Sequence, residues 1–288
     1  MKILVLGGSG MLGHQLVREL APSFETVFTL RGEARALMPA VPRARAVDGP
    51  DALDLGWLER LLDAERPDAV LNAVGVIKQV LDDRARAQVI AVNALFPHQL
   101  QELCRGRGIR LVHYSTDCVF SGSAEGQRGP LGYRETDPTD PQDLYGLSKR
   151  LGEPSGDNCL VLRTSIIGPE LRGGHSLLEW FLAQTGSVRG FTGALYSGLT
   201  TPELARLTGT LLRTAPDIHG LWHVAADPIS KHDLLRMIGE IYGSPTTVIP
   251  DDHFRCDRRL DGSRFAEATG WRAPPWREMV TAMRDVGR

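Results

Sequence analysis

The chain has 288 residues, with Lys plus Arg at 33 against Asp plus Glu at 35 and a formal net charge of −2. That balance excludes a strongly basic nucleic-acid binder or membrane-surface protein as a class, while leaving room for a local basic pocket. At 42% hydrophobic and 24% charged residues, the composition is that of a soluble globular protein with enough chain to bury a full α/β core.

Lys2 to Leu6 is a continuous apolar run ending in glycines, the pattern of a buried parallel strand rather than a signal peptide. Apolar residues at helical spacing predict a helix over Met11 to Leu20, stopped by Pro22. A strand follows over Thr26 to Leu30, then a loop-like stretch over 31–50, a helix over Gly56 to Ala64 and a short strand over Ala69 to Asn72. Asp83 to Gly106 reads as one long helical stretch, Ile109 to Tyr114 as a strand, and 121–143 as a long loop rich in Gly, Pro and Asp. A loop of that length inside a compact domain is often functional. Gln142 to Gly152 reads as a helix and Cys159 to Arg163 as a strand.

This alternation predicts an α/β fold with a doubly wound parallel sheet, the Rossmann arrangement. Residues 1–165 are expected to form an NAD(P)-binding domain. Residues 166–288 are expected to form mainly a smaller substrate-binding lobe, discontinuous in sequence, with part of it returning to the sheet. In that region Leu177 to Gln184, Pro202 to Arg213, Lys231 to Tyr242, Ser263 to Thr269 and the chain from Pro275 read as helices, and Leu221 to Ala225 as a strand. Cys104, Cys118, Cys159 and Cys256 form no CxxC pair and no zinc-type spacing. They are expected to be reduced thiols of a cytoplasmic protein, with no metal. No apolar run reaches the ~18 residues that a membrane span needs.

Gly7-Gly8-Ser9-Gly10-Met11-Leu12-Gly13 satisfies GxxGxxG through Gly7, Gly10 and Gly13, and GxGxxG through Gly8, Gly10 and Gly13. Glycine serves there for a tight turn, for close approach of backbone N–H groups to a pyrophosphate, and for close helix-to-strand packing. The helix that follows points the positive end of its dipole at the phosphates. NAD-preferring sites place an acid about 20 residues after this loop, whereas Arg31 stands here. A guanidinium pairs well with a 2′-phosphate, so NADP(H) is the preferred cofactor. Glu33 lies close enough to keep NAD(H) possible.

Tyr145 and Lys149 stand four residues apart, on one face of a predicted helix. Unperturbed tyrosine, with a pKa of about 10, is a poor acid–base catalyst near neutrality. A neighbouring ammonium favours the phenolate and brings that value toward the working pH. Ser115, Thr116 and Asp117 end a predicted strand, the edge at which ligands bind in open α/β sheets. A hydroxyl there suits a carbonyl oxygen, and Asp117 suits a sugar hydroxyl.

The glycine loop, Asn72-Ala73-Val74-Gly75, Ser115 through Gly122 and Tyr145 through Glu153 together resemble the extended short-chain dehydrogenases, in particular the dTDP-4-dehydrorhamnose reductase branch. The resemblance covers residues 1–165 in order. Arg163-Thr164 and Gly220-Leu221-Trp222-His223 fit it more loosely. It implies that Thr116, Tyr145 and Lys149 form a catalytic triad. It also implies that Asn72, Ala73, Val74 and Gly75 pass the nicotinamide side of the cofactor, that Asn93 lies on the helix lining it, and that Asp54 and Leu55 meet the adenine. The implied substrate is a nucleoside-diphospho-4-keto-6-deoxyhexose, reduced at C4 for deoxysugar and cell-surface polysaccharide synthesis. Lys78, Asp117, Val119, Phe120 and Arg163 are the expected substrate contacts. Three departures from the branch stand out: Cys118 where tyrosine is common, residues 76–80, and the segments 176–181 and 190–201 taken together. An epimerase on the same fold and a non-catalytic NADP-binding regulatory subunit are the alternatives. Neither nucleic acid nor membrane is expected as a partner, and the chain is expected to be a monomer or homodimer.

Overall fold

The structure is a computed structural model that describes residues 1–32, 41–77, 85–123 and 129–287. Strand β1 (Lys2–Leu6) is followed by α1 (Gly13–Leu20), β2 (Glu25–Leu30), β3 (Ala44–Asp48), α2 (Leu55–Glu65) and β4 (Ala69–Asn72). Next come α3 (Arg86–Ile90), a π-helical turn over Ala91–Leu95, α4 (Phe96–Arg105), β5 (Arg110–Ser115), α5 (Leu144–Leu151) and β6 (Cys159–Arg163). The remainder comprises β7 (Ile166–Ile167), α6 (Leu177–Leu182), β8 (Ser187–Tyr196), β9 (Leu199–Thr200), α7 (Thr201–Thr214), β10 (Gly220–His223), β11 (Ile229–Ser230), α8 (Lys231–Tyr242), β12 (Thr247–Asp257), α9 (Ser263–Thr269) and α10 (Trp276–Val286).

Seven strands form one sheet in the order β10-β6-β5-β4-β1-β2-β3. Parallel pairs join β1 to β2 and β4, β2 to β3, and β4 to β5. The chain winds outward from β1 in one direction and from β4 in the other, so the order reverses between these two strands. A doubly wound sheet opens its ligand crevice at this switch point, outside the carboxyl ends of the strands. Ile3, Leu4 and Val5 are fully buried, as are Val70 and Leu71, which explains why β1 and β4 read as unbroken apolar runs.

The structure adds what the hydrophobic pattern did not show. β3 lies within the stretch expected to be a loop; its residues Ala44 to Asp48 are half-buried or exposed, as suits an edge strand. The long helical stretch expected over 83–106 is broken by the π turn around Asn93. Residues 83–84 lie outside the described chain.

Two compact units share the chain. The first is Met1–Ser115, Asp143–Leu162 and Ala205–Leu221; the second is Thr116–Gln142, Arg163–Leu204 and Trp222–Arg288. The second holds a three-stranded sheet in the order β11-β8-β12. In it β8 pairs antiparallel with β11 and parallel with β12, with a register shift between Asp251 and Arg255. Among the described residues, no helix is long and apolar enough to cross a membrane.

Candidate active site

The turn after β1 is built by glycine at defined points. Gly7 has φ +79°, in the left-handed region that favours glycine. Its N–H donates to Thr29 Oγ1 at 3.1 Å, and the Gly8 N–H donates to the Thr29 carbonyl at 2.8 Å. A methyl group on Gly13 would stand 2.0 Å from the Gly7 carbonyl oxygen, so glycine lets α1 begin directly against the turn. Helix α1 starts at Gly13, two residues later than its apolar spacing predicts, because residues 7–12 are spent on the turn. Leu12 is buried and Met11 is half-buried.

A cavity of about 220 Å³ opens beside this turn. Gly7, Ser9, Gly10, Thr29 and Arg31 line one part of it; Ala73, Val74, Gly75 and Val76 line another. Gly49, Pro50, Asp51, Ala52, Trp57 and Gln88 complete much of the remaining wall. Its lining residues all belong to the first unit. Arg31 is exposed, so its guanidinium is available to an anionic group in the cavity.

Asp54 and Leu55 are not among the lining residues. The Asp54 carboxylate instead caps α2, accepting the Trp57 N–H at 2.9 Å. Leu55 packs on the hydrophobic core of the first unit. Asp51 and Ala52, three residues earlier, are the pair that faces the cavity. Trp57 also reaches the wall, and a Gly49 side chain would meet its ring at 2.7 Å. Sequence reasoning passed over Trp57; the small residue at position 49, directly after β3, was the available signal.

Two buried asparagines shape the turn after β4. Asn72 Oδ1 accepts the Val74 N–H at 3.2 Å. Asn93 Oδ1 accepts the Val76 N–H at 2.8 Å, and its Nδ2 donates to the Val76 carbonyl at 2.9 Å. Asn93 also reaches Ser148 Oγ at 3.3 Å, which ties this turn to α5. Neither asparagine lines the cavity; both hold the backbone that does. The π turn sets Asn93, and its carbonyl lies where a Gly152 side chain would have to be, at 1.8 Å.

Helix α5 begins where Asp143 Oδ1 accepts the Gly146 N–H at 2.8 Å. Tyr145, in its first turn, is half-buried. Lys149, one turn later, is 7% exposed and donates to the Tyr114 carbonyl at 2.7 Å. Burial lowers the Lys149 pKa to about 8, with the Glu153 carboxylate pulling the other way. Glu153 accepts the Ser115 hydroxyl at 2.6 Å.

Thr116 is the first residue of the second unit. Its Oγ1 accepts the Cys118 N–H at 3.1 Å and donates to Asp117 Oδ1 at 3.2 Å. Burial raises the Asp117 pKa, opposed by Arg258 and by hydrogen bonds from Ser165, Cys118 and Thr116. Burial likewise pushes the Cys118 thiol up to about 12, which suits a packing residue rather than a nucleophile. Val119 and Phe120 are wholly buried and pack with Tyr133 and Leu260; Phe120 stacks on Tyr133 at 4.1 Å between ring centroids. Arg163 is 2% exposed, with Nη1 3.3 Å from His223 Nε2 and its guanidinium 5.5 Å from the Phe120 ring centroid. The structure gives these three side chains packing roles. Lys78 and Glu33 lie outside the described residues. Among the described residues, Asp251, Asp252 and His253 bring possible ligand atoms within 4.8 Å of one another, but Asp252 and His253 are exposed.

A dTDP-4-dehydrorhamnose reductase of Burkholderia thailandensis is 36% identical over 57% of this chain and 50% of that protein. The chain thus spans half the length of that relative. A dTDP-4-dehydrorhamnose reductase of Salmonella typhimurium is 26% identical over 98% of each chain. The crystal structure of dTDP-4-dehydrorhamnose reductase from Bacillus anthracis in complex with NADP superposes with a TM-score of 0.78 at 18% identity, covering 100% of this chain and 99% of that one, a likeness of fold. Residues 1–287 match the model of the family described as the RmlD substrate binding domain, and the chain belongs to that family.

Proposed function

We propose that this chain is an NAD(P)H-dependent oxidoreductase that reduces the C4 ketone of a nucleoside-diphospho-4-keto-6-deoxy sugar; two of its relatives are named dTDP-4-dehydrorhamnose reductase. The observation that carries the reading is the first unit's pairing of a glycine-cradled cavity with a helix that buries Lys149 one turn beyond Tyr145. The cavity fits a dinucleotide: side chains are missing where phosphates approach backbone, and Arg31 lies at its rim. Arg31 also supports NADP(H) over NAD(H).

When bound, the reduced nicotinamide supplies the hydride. Tyr145 donates a proton to the carbonyl oxygen as that oxygen gains negative charge. Lys149 in its ammonium form, present below about pH 8, favours the tyrosinate and so makes Tyr145 a stronger acid. It also offers donors for ribose hydroxyls. The proposed role of the Thr116 hydroxyl is to hold the carbonyl oxygen, and that of Asp117 is to hold a sugar hydroxyl. The Ala73 to Val76 backbone, fixed by Asn72 and Asn93, lines the cavity and would wall the nicotinamide side of a bound cofactor. Consistent with this chemistry, a cytoplasmic site of action beside nucleotide-sugar synthesis is part of the proposal.

The test is NADPH consumption with a panel of 4-keto-6-deoxy sugars carried on dTDP, UDP and GDP. Stoichiometric oxidation with one of them is expected. An epimerase would convert substrate with no net consumption. NADPH binding without reduction of any ketone contradicts the proposal.

A further inference from the structure

Asn72 at the end of β4, His113 in β5 and Lys149 in α5 form a line of three buried polar side chains. His113 is 0% exposed. Its Nδ1 lies 3.1 Å from Asn72 Nδ2, and its Nε2 lies 3.5 Å from Lys149 Nζ. The far end of the line fixes the direction of its protons. A backbone N–H can only donate, and the Val74 N–H donates to Asn72 Oδ1. Asn72 therefore turns its Nδ2, a donor, to His113. Nδ1 accepts, and the neutral ring carries its proton on Nε2.

That proton faces Lys149 Nζ. An ammonium has three donors and no acceptor, so Nε2–H and a charged Lys149 oppose one another. A neutral amine has a lone pair that can take the Nε2–H. The bond from Nζ to the Tyr114 carbonyl at 2.7 Å is open to both forms. Other groups act on this lysine. Glu153 favours its charge, and Glu153 is itself 3.5 Å from Arg150. Tyr145 precedes it by one turn on α5. His98 of α4 acts electrostatically on His113 rather than on Lys149 directly.

We propose that His113, held in its Nε2–H tautomer by Asn72, is a positioning residue that disfavours the ammonium form of Lys149 and links the charge of that lysine to the backbone turn walling the cofactor cavity. The link is physical: the same Asn72 side chain holds Val74 at one end and sets the ring proton at the other. No motif in the sequence marks His113 for a part. Its effect on turnover rests on the proposed reductase function; its effect on Lys149 ionisation does not.

Two substitutions test it. His113→Phe removes the opposing proton without adding charge. Asn72→Asp leaves only acceptors beside Nδ1, so the ring proton moves to Nδ1 and the Nε2 lone pair turns to Lys149. The readout is an NMR pH titration of isotope-labelled lysine side chains in the full chain, with Lys149→Met assigning the signal. The Lys149 midpoint is expected to rise by about one pH unit in each variant, and the alkaline limb of kcat/KM to rise with it. A folded His113→Phe that titrates like the parent overturns the proposal. If that variant does not fold, an unmoved or lowered midpoint in Asn72→Asp overturns it. Absence of turnover in the parent would count against the reductase reading, and the titration alone would then decide the role of His113.

Discussion

At the residue scale, the buried Lys149 costs the fold stability, a cost that the proposed function gives a use. Its pKa in the folded chain lies near 8, below the ordinary 10.5. Between these values the unfolded chain binds more protons than the folded one, so stability from this group rises with pH across the window and its penalty is complete below about pH 8. Lys149→Met removes the penalty and, on the proposed mechanism, the reaction. Urea unfolding should show the stability of the parent relative to Lys149→Met improving by about 2 kcal/mol between pH 7 and pH 9.5; a constant difference contradicts the buried ammonium. Tyr145→Phe keeps the ring and loses the proton. Turnover is expected to fall about 10²–10⁴-fold with NADPH binding retained, as measured by steady-state rates and by direct titration. Arg31 is exposed, so the proposed pairing with a phosphate would be modest. Arg31→Ala should reduce the preference for NADPH over NADH about tenfold, roughly 1.4 kcal/mol, and equal preference before and after would remove Arg31 from the cofactor's phosphate.

At the element scale, two glycines of one loop separate folding from binding. A side chain on Gly13 would overlap the Gly7 carbonyl oxygen at 2.0 Å, whereas on Gly10 the nearest atom is 3.3 Å away. Gly13→Ala is expected to destabilise the chain by about 1–3 kcal/mol in denaturant unfolding and to abolish NADPH binding. Gly10→Ala should cost less in unfolding than Gly13→Ala and still weaken NADPH, because Gly10 lines the cavity proposed to hold the phosphates. The elements that sequence periodicity revealed are those with one decisive signal. β1, β4 and β6 are apolar runs buried throughout apart from Lys2, and α8 runs from Lys231 to Tyr242 between an N-cap Ser230 and a left-handed Gly243, as its spacing predicts. β3, β8 and β12 were illegible for an equally physical reason. Their faces are mixed, β8 carries Gly190 and Gly193, and β12 carries Pro250, Asp251 and Asp252 with a register shift beside them. Alternation fails where a strand bulges, so no period of two remained to be read. The same limit applied to the site. Gly7, Gly10 and Arg31, which line the cavity, were singled out by the fixed spacing of a glycine loop, and Ala73 to Gly75, which line it too, by the family resemblance. Asp51, Ala52, Trp57 and His113 come to their places only through the packing of the elements that carry them.

For the molecule as a whole, the first unit carries the glycine turn, the cavity, Tyr145 and Lys149, while Thr116, Asp117 and the three-stranded sheet belong to the second. The chain assembles each unit from separate segments, which is why a single boundary in the sequence describes neither. A first unit that holds its cavity without substrate is expected to bind NADPH in the absence of any nucleotide sugar, so calorimetry on the full chain alone should register binding. The central claim, hydride delivery to a keto carbon with Tyr145 as proton donor, has one direct measurement. NADPH deuterated at the transferred position is supplied with the 4-keto nucleotide sugar, and the product is read by NMR and mass spectrometry for the parent chain and for Tyr145→Phe. Deuterium bound to C4 of the sugar in the parent, with its appearance slowed at least about 10²-fold in Tyr145→Phe, is the expected result; a C4 alcohol without deuterium, or equal rates in the two chains, would contradict it.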